Sequence, residues 1–112
     1  MTLTLELSDL RESNRKALTE LGRAPADRFD AQLAEIENFL LSVYRFAVLA
    51  VRNEKEIERA SAAWKETLDV IDSAARQVQS LTSQRGIRNT HPSLDRILEI
   101  RSAASDMLAL YE

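Results

Sequence analysis

Between Pro25 and Gly86 the chain runs for about sixty residues without a glycine or a proline. Only two of each occur in the whole sequence, and they bracket this stretch: Gly22 and Pro25 on one side, Gly86 and Pro92 on the other. Gly and Pro are the strongest local punctuators of secondary structure. Apolar residues recur with a helical period throughout the stretch, yet a helix of that length would far exceed the mean of about 11–12 residues. Such a segment either folds back on itself or runs on as one helix into a second copy of the chain.

The punctuation and periodicity predict an all-α four-helix bundle in a single domain spanning residues 1–112. It is built on a long antiparallel hairpin, with helices at about 26–52 and 54–85. Two shorter flanking helices are expected at about 9–21 and 92–111. In the second helix Phe29, Leu33, Ile36, Leu40, Val43, Ala47 and Ala50 alternate at spacings of four and three, a heptad seam. The third carries Ile57, Ala60, Trp64, Leu68, Ile71, Ala75, Val78 and Leu81. In the first, Ser8 is the expected N-cap, Leu10, Ala17, Leu18 and Leu21 form the apolar face, and Gly22 suits a left-handed residue past the end. Glu12 and Lys16 are spaced as an i,i+4 ion pair. Residues 1–8 read as an arm or an extension of that helix. Pro25 and Pro92 start the second and fourth helices. The fold-back is expected at Arg52-Asn53-Glu54, because Asn tolerates left-handed geometry and also caps helices, with Glu56 completing a pattern like a capping box. The continuous helix, exchanged between two copies, is the alternative.

Composition narrows the function classes. There is no cysteine and only one histidine, His91, so thiolate chemistry and His-rich metal sites have no residues to use. No Gly-rich phosphate loop or nucleophile elbow occurs. Nothing in the chain calls for a cofactor or a metal. The N-terminus has no basic segment followed by an apolar core, and no apolar run reaches the length of a membrane span, so a cytoplasmic protein with no membrane partner is expected. The net charge of −3 disfavours a dedicated nucleic-acid binder.

The second helix carries the clearest functional signal. About 100° from its seam lies a stripe that begins Asp27, Asp30, Ala34, Glu37 and continues Leu41, Tyr44, Val48, Val51. The line turns from acidic to apolar where the shorter flanking helices should run out. With Phe39 and Phe46 beside it, this surface would be an exposed apolar patch of a kind monomers rarely tolerate. Phe39, Leu41, Tyr44, Phe46, Val48 and Val51 are therefore the expected interaction surface of a non-enzymatic module. Its partner would be a second copy in a homodimer, the commonest oligomer, or another protein. A small-ligand bundle would need a cavity that sequence does not reveal.

One further segment stands out. In Arg85-Gly-Ile-Arg-Asn-Thr-His91 an Arg precedes a His by six positions, directly before the last helix. This resembles the Arg-x4–6-His signature of HEPN ribonucleases, which are small helical bundles that commonly dimerise. The resemblance implies a nucleic-acid-acting alternative, a ribonuclease or an RNA-backbone binder, with Arg85, Arg88 and His91 as anion-binding residues. His91 would then exchange a proton at the scissile phosphate, and Arg85 would stabilise its charge. The same residues also admit an architectural role, in which Gly86 ends the third helix, His91 or Thr90 caps the fourth, and both arginines are solvated.

Overall fold

A computed structural model describes residues 3–86 and 91–111. Four helices follow in order: α1 (Leu3–Arg23), α2 (Ala26–Arg52), α3 (Ile57–Gln84) and α4 (Pro92–Leu110). The long segment does fold back, and the expected four-helix bundle forms. α2 and α3 pack together as an antiparallel hairpin. α1 packs against both of them, and so does α4, while among the described residues α1 and α4 do not touch. The outer helices therefore lie on opposite sides of the hairpin, and the Cα envelope is a flattened rod of 46 × 25 × 16 Å.

Most of the expected seam is buried; Ala50 and Ile57, beside the fold-back, are exposed instead, and Leu68 and Leu81 are half-buried. Phe29, Leu33, Ile36, Leu40, Val43 and Ala47 of α2 meet Ala60, Trp64, Ile71, Ala75 and Val78 of α3, with 2% exposure or less at every one of them. Leu18 and Leu21 of α1, and Leu94, Ile97 and Ala104 of α4, close the core from the two sides. Full burial of each large apolar side chain contributes about 1.5–3 kcal/mol relative to exposure. Two buried hydroxyls are satisfied by their own helix. Thr67 Oγ1 donates to the Ala63 carbonyl at 2.8 Å and Thr82 Oγ1 to the Gln79 carbonyl at 2.9 Å.

Several boundaries differ from the expectation. α1 starts at Leu3, so Ser8 lies inside the helix instead of capping it, and the backbone of Leu3–Leu7 is helical. Leu and Glu in that segment are strong helix formers and carry the helix upstream. Met1 and Thr2 lie outside the described residues. Gly22 is not left-handed: α1 passes through it to Arg23, and Gly86 (φ 71°) is the one described residue with positive φ. A Cβ added at Gly22 would sit 3.6 Å from Leu81 Cδ2, an ordinary contact.

The fold-back also differs in detail. Asn53 is the C-cap of α2, with φ −99° and ψ 2°, which is not left-handed. The N-cap of α3 is Glu56, and helix resumes at Ile57, three residues later than expected. In place of a capping box, the Glu56 amide donates to Glu54 Oε1 at 3.2 Å. A long polar side chain thus closes the turn, and no residue has to enter the left-handed region. α3 ends at Gln84, one residue earlier than expected, and α4 at Leu110, where Tyr111 forms the C-cap.

Candidate interaction surface

The stripe on α2 is organised by α4. α4 begins beside the start of α2 and runs parallel to it, because its ion pairs climb both helices together. His91 Nε2 lies 2.8 Å from Asp30 Oδ1, and Arg96 Nε lies 2.7 Å from Glu37 Oε2, about two turns further along α2. The acidic half of the stripe thus faces the N-terminal turns of α4, where the helix dipole also favours negative charge. The hydrogen bond from Arg96 holds the Glu37 carboxyl below the usual carboxylate range, against the opposing effect of its burial.

The apolar half of the stripe is covered more fully than its pattern suggested. Val51 is 5% exposed and belongs to the core, which corrects its expected place on the surface. Leu41, Tyr44 and Val48 are half-buried and pack on the core, as Phe39 does on the opposite flank of the seam; Phe46 is half-buried as well. Tyr44 lies against Trp64, with ring centroids 5.5 Å apart at 53°. Trp64 is fully buried, as expected for a seam residue.

Among the described residues the most exposed large apolar side chains are others: Leu49 (62% exposed), Ile57 (67%) and Leu110 (75%). Leu49 stands in the last turn of α2, Ile57 opens α3 and Leu110 ends α4. All three lie at the hairpin-tip end of the bundle, because α4 rises parallel to α2 and ends level with its last turns. Sequence reasoning missed Leu49 and Leu110 because they lie off the apolar stripes. It missed Ile57 because that residue belongs to the α3 seam and was expected to be buried. The neighbouring charges on residues 52–59 balance, with Arg52, Lys55 and Arg59 against Glu54, Glu56 and Glu58.

The residues of the Arg-x5-His segment take architectural positions. Arg85 is exposed, as expected, but its guanidinium is also engaged within the fold. Its guanidinium donates to the carbonyls of Leu21 and Gly22, both at 3.3 Å, and to that of Ala24. The same group stacks over the Phe29 ring, with Cζ 4.3 Å from the centroid. One cation from the end of α3 thereby caps the C-terminus of α1, where helix carbonyls lack partners and the dipole is negative. His91 is the N-cap of α4: Nδ1 accepts from the Ser93 amide at 3.2 Å while Nε2 faces Asp30. A neutral imidazole protonated on Nε2 satisfies both contacts. Arg88 and Thr90 lie outside the described residues.

Elsewhere, a groove of about 520 Å³ between α3 and α4 is lined by Lys65, Leu68, Asp69, Asp72, Arg101 and Leu108, among others. Its carboxylates are already paired. Asp69 meets Arg11 at 3.2 Å, and Asp72 meets Arg76 at 3.0 Å and Arg101 at 3.6 Å. Among the described residues no cluster of His, Cys, Asp and Glu could hold a metal ion, and no helix is long and apolar enough to cross a membrane. The chain matches no protein-family model, no curated protein and no solved structure.

Proposed function

We propose that this chain is a non-enzymatic helical interaction module that self-associates as a homodimer through the tip of its hairpin. The observation that carries the reading is the placement of Leu49, Ile57 and Leu110 at one end of the bundle, each more than half exposed. Half-buried Phe46 and Val48 lie on the turns of α2 that lead to that end. Burying such side chains between two copies removes apolar surface from water at about 25 cal/mol per Å². The balanced charges of residues 52–59 favour a second copy over a strongly charged partner, since each sign on one copy can meet its opposite on the other. Arg85 and His91 play no part in this reading, because their polar atoms are engaged within the fold.

The test is a Leu49→Glu, Ile57→Glu double variant measured by light scattering over a concentration series. The wild type should show a mass that rises toward the dimer with concentration. The variant should stay monomeric with unchanged helicity, since neither side chain contributes to the core. A wild type that is monomeric at every concentration ends the proposal.

A further inference from the structure

The turn between α2 and α3 is built without any residue that forbids a helix. It comprises Asn53, Glu54, Lys55 and Glu56, between helices ending at Arg52 and beginning at Ile57. None of the four has positive φ. Asn53, at φ −99° and ψ 2°, lies in the bridge region next to the helical one, and Glu56 differs from it chiefly in ψ, at 118°. Glu and Lys are good helix formers, and the Glu56 side chain makes no capping bond at the start of α3; the turn is closed by the Glu54 carboxylate on the Glu56 amide. The other two joints contain Pro25, whose ring excludes a continuous helix, and Gly86, which takes a left-handed φ of 71°.

The heptad pattern crosses this turn without losing phase. From Phe29 to Val78 every seventh residue is apolar, and Ala50 and Ile57 carry the series over the hinge. Every other member of the series is buried; only Ala50 and Ile57 are exposed. A seven-residue repeat sustained in this way is the signature of a two-stranded left-handed supercoil. The Tyr44–Trp64 contact sets the antiparallel register of α2 on α3. Extending that register by one heptad from Val43 and Trp64 brings Ala50 opposite Ile57. In the hairpin the turn intervenes, and Ile57 stays 67% exposed.

We infer that the second copy at the hairpin tip is an exchanged one: residues 53–56 become helical, and α3–α4 of each chain pack on α1–α2 of the other. The inference rests on the self-association proposed above and specifies its mode. Each half of the exchanged dimer keeps the core contacts of the monomer. Ile57 of each chain gains Ala50 of the second copy as its neighbour. The linking helix runs from Ala26 to Gln84 without a break.

Energy transfer within one chain distinguishes the two folds. Asp27 and Ser80 are exposed and stand level with each other near the open end of the hairpin in the same register. An Asp27→Cys, Ser80→Cys chain carrying donor and acceptor dyes is refolded with excess unlabelled chain, and its dimer fraction is isolated. Exchange puts the labelled positions about 80 Å apart along one helix, and transfer is lost. In an unexchanged dimer they remain on adjacent helices whose axes lie about 8–10 Å apart, and transfer is nearly complete. A dimer with full transfer overturns exchange and leaves self-association standing; absence of any dimer overturns both. Lys55→Pro supplies the second arm. The Lys55 amide makes no hydrogen bond among the described residues, so proline there removes no bond from the hairpin, whereas it breaks an uninterrupted helix. The variant should remain helical and become monomeric, and a Lys55→Pro dimer would also overturn exchange.

Discussion

At the scale of single residues, the two glycines have opposite roles although both stand at helix ends. Gly22 adopts ordinary helical geometry, and space exists for a Cβ in van der Waals contact with Leu81. Gly22→Ala should therefore raise stability by about 0.5–1 kcal/mol, by removing the entropic disadvantage of glycine in a helix. Gly86 has nothing near its missing Cβ, but its φ of 71° disfavours every L-side chain. Gly86→Ala should cost about 1–2 kcal/mol. Urea titration of the two variants checks both signs at once. Arg85 is the other decisive residue. Arg85→Met keeps much of the alkyl packing but releases three carbonyls, and should cost about 1–3 kcal/mol. Arg85→Lys should restore only part of this, because an ammonium cannot reproduce a planar fork that both stacks and donates to several carbonyls. The role of Gly86 was legible, since Gly directly after a helical pattern is the usual left-handed stop. The roles of Gly22 and Arg85 were not, because the cap for α1 comes from more than sixty positions away along the chain.

At the scale of elements, α4 is held to α2 by charges that the pattern displayed without naming their partners. Asp30 and Glu37 were visible as the acidic half of a stripe. That His91 and Arg96 answer them follows only from the parallel run of α4. His91→Ala removes the N-cap and should cost about 0.5–2 kcal/mol, read by thermal or urea unfolding. The Glu37–Arg96 pair has a defined pH signature. The folded-state pKa of Glu37 is lowered, so the unfolded chain takes up the proton first as pH falls. Its contribution is fully present above the unfolded carboxylate pKa near 4.3 and is lost as pH falls through the folded value. Glu37→Gln should therefore flatten the acid limb of the stability–pH profile and leave its shape near neutrality unchanged. An acid limb identical to wild type would mean that the pair contributes nothing.

At the scale of the whole molecule, α1 and α4 are each tied to both hairpin helices and not to one another. Loss of the hairpin core should therefore release both together, and unfolding followed by Trp64 fluorescence and by helical circular dichroism should coincide. Leu40→Ala, at a fully buried seam position, should cost about 2–5 kcal/mol and shift both probes equally. An earlier transition in circular dichroism alone would show that an outer helix detaches first. Four helices, their approximate ends and the buried seam follow from local rules: a 3.6-residue period of burial, proline at helix starts, glycine past a helix end, and the absence of both through the long stretch. The sequence alone thus determined an all-α bundle on a long hairpin, with Trp64 inside it. Only the tertiary structure decided which flank of α2 is covered, that Val51 is core, where the Arg85 guanidinium ends, and that Leu49, Ile57 and Leu110 are left in solvent at one end. Period and capping chemistry act between residues a few positions apart. The cover on a helix face depends on how elements distant in the chain align along their axes, and no local pattern carries that information.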